Sequence, residues 1–401
     1  MVTASRFPTL FESADGIAEA FRSAYVPMLL DKRGELQALR KAPGTAWDHM
    51  VPLIQIVPKP ERSADEVQMS PAQMIDTIAA AVRQHQFYLD PGGVARRTKK
   101  SALMSMNDVE AAYAQARRRG LGFIPVLPLD RTDVARLTAE VARDNGAGLA
   151  ARVHVRNAIY AGGVSLADGI AAELEALGIS DLPTDLFLDL DYLAAEVDLD
   201  ADDLGSLIRS CMNARSWRTI TVTATTVPGS YADLVDEGEL RAINRREWGL
   251  YERLIASGFP DVRFGDYGIQ NCTPPDPMKV DKMVASIRFV VGGSIWVARG
   301  RGALRPMTLD EKAEQYSELA SRLMGVDGFI GRGCCAGDGL VEDVATGRVQ
   351  VRTPHRWREA GTLHSFLTVT GDLARLRNKR AVRLQTGARL APSERVHSIP
   401  G

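Results

Sequence analysis

Residues 185–193 read DLFLDLDYL. Successive side chains of an extended strand point to opposite faces. Leu186, Leu188 and Leu190 therefore fall on one face, with Phe187, Asp189 and Asp191 on the other. A strand this apolar can hold two carboxylates side by side only if that face is wet or charge-paired. Two further segments repeat the arrangement. In LAARVHVR (149–156) Arg152, His154 and Arg156 share a face opposite Ala151, Val153 and Val155. In TITVTAT (219–225) Thr219, Thr221, Thr223 and Thr225 oppose Ile220, Val222 and Ala224. Charge inside a protein is costly unless paired, so the aspartates and the Arg/His set are expected to face each other within one closed interior.

That interior is supplied by the rest of the pattern. Strands are expected at 24–30, 50–57, 86–90, 122–129, 149–155, 185–191, 219–225 and 261–266. Between them lie amphipathic stretches with apolar residues three and four apart, such as 70–85, 107–119, 134–146 and 166–178, the last two stopping at Gly146 and Gly178. Residues 240–258 are read as another helix, whose Arg245, Glu247 and Trp248 are expected on an exposed face. Eight strands with seven intervening segments match the arithmetic of a (β/α)8 TIM-like barrel, with a doubly wound open sheet as the alternative. The barrel is expected to occupy 1–270, and 271–401 to add a C-terminal hairpin, a helical extension and a basic tail packed on it. The hairpin is placed at 287–300 around Gly292-Gly293, the helix at 309–325 and the tail at 375–389.

Composition narrows the classes. A formal net charge of −1, with 45% hydrophobic and 25% charged residues, fits an ordinary globular chain and disfavours a nucleic-acid coat. The basic clusters at 96–100, 117–119 and 375–383 are read as solvated faces, with phosphate contact the disfavoured reading. No apolar run reaches the roughly 18 residues of a membrane span, and the first residues show no secretory signal, so a cytoplasmic protein is expected. Cys211, Cys272, Cys334 and Cys335 lack CxxC spacing. They are read as reduced thiols rather than a disulfide or zinc set, and GRGCCAGDG (331–339) as a flexible loop.

Barrel active sites lie at the C-terminal ends of the strands, which selects the candidates. Asp189 and Asp191 suit ligands of a divalent cation such as Mg, or an acid and base. His154 suits proton transfer, and Asp266, ending the eighth strand in FGDYG, a third carboxylate. Arg152 and Arg156 suit an anion clamp, with Lys32, Asp90 and Tyr267 completing a substrate-binding rim. The competing account is a structural ion-pair network. These residues together point to an enzyme acting on an anionic, phosphorylated small molecule, with phosphoester hydrolysis the most concrete reaction. The alternative is a non-catalytic module that binds a ligand or phage component and signals to a protein partner.

The order of YVPMLLDKRGELQAL, PLIQI, the DLD strand, RREWGLY, GDY and the late IRF…W…RG hairpin resembles the beta family proteins of phages and bacteria, over roughly 24–365. The resemblance implies a barrel-like fold and no established reaction, with a part in phage–host conflict for some members. Leu30 and Gln55 stand where that family pattern leads one to expect a lysine and an acid. Both changes remove charge from the interior.

Overall fold

The computed structural model describes residues 25–57, 69–91, 104–129, 131–155, 164–194, 199–273 and 283–388. Seven parallel strands come first: β1 (Val26–Leu30), β2 (Leu53–Gln55), β3 (Phe87–Asp90), β4 (Phe123–Pro128), β5 (Leu149–His154), β6 (Thr184–Tyr192) and β7 (Thr219–Thr225). After β8 (Leu240–Asn244) comes β9 (Arg263–Asp266), which pairs with both β7 and β1 and closes the barrel. The open sheet is thereby excluded. Around the barrel run α1 (Arg33–Lys41), α2 (Gly44–Trp47), α3 (Pro71–Val82), α4 (Met106–Arg118), α5 (Thr132–Asn145), α6 (Val164–Ala176), α7 (Ala201–Ala214) and α8 (Arg246–Ala256).

Alternation along each strand divides the core in two. Leu186, Leu188 and Leu190 join the outer layer between strands and helices. Phe187 lies inside, with Val26, Met28, Leu53, Tyr88 and Ile124. This apolar plug has a polar floor. There the buried Asp185, third acid of the same strand face, accepts from Tyr88 at 2.9 Å, from Thr219 at 2.8 Å and from Arg218. Arg263 reaches the same Tyr88 hydroxyl from β9 at 3.0 Å.

The expectation for 240–258 is corrected. Leu240–Asn244 is a strand, and it pairs antiparallel with β11 (Ser294–Ala303), which hairpins with β10 (Val284–Val291). Gly292 and Gly293 make that turn with φ of 59° and 81°, a pair of left-handed residues that suits a two-residue hairpin. The added sheet thus draws one strand from within the span assigned to the barrel. One face of it packs on the segments that follow β7 and β9, through Val227, Tyr231 and Ile269 against Val290, Ile295 and Val297. The other face makes a second core with α9 (Leu309–Met324), α10 (Ala336–Ala345) and α11 (Pro354–Ala388). The stretch read as a loop, 331–339, contains the start of α10, and the basic tail from 375 continues α11 to Ala388.

Arg245 and Glu247 are buried, against the exposed face expected of them. The cause is Asp266. In β9, Arg263 points inward while Phe264 joins the outer core with Tyr25, Trp248 and Tyr251. Asp266 shares the parity of Phe264, so it faces the helices. There it accepts from Tyr25 Oη at 2.5 Å and from Arg245 Nη2 at 2.8 Å, and Arg245 Nε also contacts Glu247 at 3.3 Å. Burial raises the Glu247 carboxyl above its ordinary range, with Arg245 opposing.

The two cores are held together by α11, whose Leu363, Phe366, Val369 and Leu373 pack in the outer barrel layer while Trp357 and Ala360 pack under the sheet. Gly361 is the point of closest approach. A Cβ there would lie 2.2 Å from the backbone oxygen of Arg288 in β10. Gly361→Ala should destabilise the chain by about 1–3 kcal/mol in urea unfolding, because overpacking against backbone outweighs the ~1 kcal/mol that alanine gains in a helix. An unchanged or stabilised variant would show that α11 can move off the sheet without cost.

Candidate functional site

The C-terminal ends of β2, β3, β5 and β6 deliver Gln55, Asp90, Arg152, His154 and Asp189 to one end of the barrel. Arg152 is buried at the centre. Its Nη1 donates to Gln55 Oε1 at 3.1 Å and Asp90 Oδ2 at 2.9 Å. Nε and Nη2 both reach Asp189 Oδ2, at 3.1 and 2.9 Å, and Nη2 also donates to Tyr267 Oη at 2.8 Å. Tyr267 closes the ring by donating to Asp189 Oδ2 at 2.6 Å. Burial alone would lower the guanidinium pKa. Tyr267, Asp189 and Asp90 outweigh it and raise the value, so Arg152 stays charged. The expected lumen pairing is present, and it consumes Arg152: that side chain is the hub of an internal network rather than an arm held out to an anion. Tyr267 and Asp90 belong to the same network.

Above it stands a second pair. His154 Nδ1 lies 2.8 Å from Asp191 Oδ1 and 3.7 Å from Asp189 Oδ2. Their side chains are 11% and 27% exposed, whereas Asp189 is fully buried, so the pair forms the solvent-facing layer of the group. Simple alternation did not anticipate how Asp191 gets there. Asp189 pairs with Thr223 but Tyr192 with Thr225, so three residues of β6 span two of β7. The extra residue makes a β-bulge, and Asp191 takes a left-handed backbone with φ of 64°. Bulges gather beside functional sites and re-aim a side chain, and Asp tolerates this conformation better than most residues. Asp189 Oδ1 accepts from the Asp191 backbone N–H at 3.1 Å, so the lower carboxylate holds the bulge that presents the upper one.

His154, Asp189 and Asp191 offer ligand atoms that all lie within 4.8 Å of one another, a set able to hold a divalent cation. An imidazole with two carboxylates suits Mn as well as Mg. Asp266 is absent from this group because it faces the helices. Lys32 stands half-buried at the start of α1, near Asp31, Glu35 and Arg358; burial lowers its pKa, and the Arg358 charge adds to this. Among the described residues it makes no hydrogen bond to Arg152. Arg156 lies outside the described residues. A cleft of about 630 Å³ exists elsewhere, lined by Arg245, Trp248, Gly292, His364 and Asp372 among others. It contains none of the barrel-end residues. The convergence of charge at the barrel end is the more informative of the two.

Sequence reading missed Asp185, Arg263 and the bulge. Asp185 carries the parity of Asp189 in the same stretch and was legible. The bulge depends on the register between two strands.

A family model described as Beta protein matches residues 25–369. No curated protein matches the chain. Solved structures that match include one described as a fructose-1,6-biphosphate aldolase from Coccidioides immitis, at 10% identity and a TM-score of 0.28, covering 90% of this chain and 98% of that one. Another is described as spore coat polysaccharide biosynthesis protein E from Chromobacterium violaceum, at 10% identity and a TM-score of 0.35, covering 70% and 89%. Neither likeness is close enough to carry a function.

The two aspartates should respond in opposite ways to the same substitution. Asp189→Asn leaves a buried guanidinium short of a charge partner, which should cost about 3–5 kcal/mol in urea unfolding. Asp191→Asn should cost less than about 1 kcal/mol, since the position is partly exposed and Asn accepts the left-handed backbone. Equal losses would show that the two carboxylates do not occupy distinct structural and exposed layers.

Proposed function

This chain belongs to the Beta protein family, and we propose that its barrel end is a metal-assisted active site for an anionic, phosphorylated small molecule. The observation that carries the reading is the His154–Asp191 pair, 2.8 Å apart and solvent-facing on a left-handed bulge. Strained backbone is retained where surrounding structure over-determines it, and such positions cluster at functional sites. The group that meets around Arg152 and His154 holds three carboxylates, Asp90, Asp189 and Asp191. That acidic balance suits a divalent cation. Through it an anionic substrate would be tolerated next to carboxylates, and the cation would polarise a phosphoryl oxygen or lower the pKa of a bound water. His154 and Asp191 would then serve as ligands and proton carriers, Asp189 as the ligand that also holds the bulge, and Arg152 with Tyr267 orients Asp189. Phosphoester hydrolysis is the reaction these parts serve most directly. Lys32, which closely follows β1, would meet the anion at the rim.

The closure of Arg152 by its own carboxylates favours a second reading, a non-catalytic barrel whose end recognises a ligand or a phage component and passes the signal to a protein partner. No helix among the described residues is long and apolar enough to cross a membrane. The four cysteines are described as thiols rather than disulfides, and we propose a reducing, cytoplasmic setting.

Chelator-treated protein should gain thermal stability on addition of Mn or Mg, by the linkage that favours any state a ligand binds. It should also hydrolyse at least one member of a panel of phosphorylated metabolites. His154→Ala and Asp191→Asn should each lower that turnover by about 10²-fold or more while leaving the metal-free melting temperature nearly unchanged. Metal binding without turnover would support the recognition module, and absence of both would remove the barrel end from consideration as a metal site.

A further inference from the structure

The added unit holds a second group of ligating side chains that the barrel reading does not use. Cys334 and Cys335 precede α10, Asp338 lies in its first turn, and His364 comes from the middle of α11. Their ligand atoms all lie within 4.8 Å of one another. Cys335 Sγ is 2.9 Å from Asp338 Oδ2, and His364 Nδ1 is 2.9 Å from the same oxygen. Cys334 Sγ is 3.8 Å from His364 Nδ1. Four donors around a tetrahedral zinc, with bonds of roughly 2.0–2.3 Å, stand about 3.3–3.8 Å apart. The group is already close to that spacing.

We propose that Cys334, Cys335, Asp338 and His364 form a structural zinc site that fastens the start of α10 to α11 and to the hairpin. Three features separate this from a plain hydrogen-bonded cluster. Asp338 is fully buried, and its Oδ1 has no hydrogen-bond partner among the described residues. A carboxylate oxygen stripped of water and left unpaired is costly, and a metal ion would compensate it. Next, the far nitrogen of His364, Nε2, lies 2.6 Å from the carbonyl of Val290, with Thr368 Oγ1 at 3.1 Å. Metal-bound histidines are oriented in this way, by donating the distal N–H to a backbone carbonyl. Finally, Cys335 caps α10, and its Sγ accepts from the Gly337 backbone N–H at 3.2 Å. That contact fixes the sulfur at the start of the helix, facing the Asp338 carboxylate.

The folding that gathers these residues is itself tight. A Cβ on Gly337 would lie 2.4 Å from the backbone oxygen of Ala360, so α10 begins directly against α11, one turn before His364. Two soft thiolates with an imidazole and a carboxylate select zinc over magnesium or calcium. Four protein ligands leave no open position, which makes the site structural. The sequence conceals it because the cysteines are adjacent rather than spaced, and the histidine follows 26 residues after Asp338. The expectation of ordinary unliganded thiols in a flexible loop is the one this inference replaces.

Cobalt distinguishes this site from the barrel end, since only thiolate ligands give an intense near-ultraviolet charge-transfer band. Protein purified under reductant should carry about one zinc per chain, and Co(II) exchanged into it should show that band with tetrahedral visible absorption. In Cys334→Ser/Cys335→Ser the band should vanish and zinc content should fall below about a tenth of an equivalent. Asp191→Asn should keep both. If the double variant fails to fold, p-hydroxymercuribenzoate titrated into the wild-type protein replaces it. Zinc release in step with thiol modification supports the site. A wild-type cobalt spectrum without the thiolate band, zinc retained in the double variant, or thiols that react fully without releasing zinc would each overturn it.

Discussion

A single guanidinium sets the terms for the barrel interior. Arg152 sits where water does not reach, and removing a charge from water costs several kcal/mol even after relaxation. The chain meets that cost by directing two carboxylates, an amide and a phenol at it from β2, β3, β6 and the segment after β9. Each comes from a different strand or its end, so the network forms only when the barrel closes. The pairing therefore specifies register as much as it stabilises. A slip by one residue in any of these strands would turn its partner outward and leave Arg152 exposed to an apolar plug.

The same network reaches outward to the site. Asp189 carries two duties through two oxygens: Oδ2 receives Arg152 and Tyr267, while Oδ1 receives the backbone of Asp191. The bulge and its left-handed residue thus rest on a carboxylate that is itself locked by the buried charge. This is how a strained position persists. The surrounding contacts over-determine it, and the His154–Asp191 pair is held at the surface by groups that solvent cannot loosen.

On the outer side of the barrel a second ion pair governs how the added unit is attached. Asp266 ties β9 to Tyr25 and Arg245, and Arg245 stands between β8 of the small sheet and α8 of the barrel. The helix layer and the sheet consequently meet at one buried guanidinium. The basic α11 then spans both cores, close enough at Gly361 that no side chain fits. Barrel and sheet share these elements, which accounts for a strand of the added sheet lying inside the barrel span.

The count of eight strand segments with amphipathic stretches between them was enough to read a closed barrel, and period-two alternation placed Arg152, His154 and Asp189 inside it, because alternation is a local property of extended backbone. The same rule, applied to the β9 segment, assigns Asp266 to the face of Phe264, and Asp185 to that of Asp189. What alternation could not supply was anything that depends on two segments at once. The bulge at Asp191 is a mismatch between β6 and β7, visible only when both are paired. Strand β8 runs directly into the helical pattern of α8 and so reads as its first turn, and it is a strand because β11 offers its edge. Cys335, Asp338 and His364 meet because α10 packs on α11. Local backbone geometry determines which way a side chain faces. Only packing between distant segments decides what it finds there.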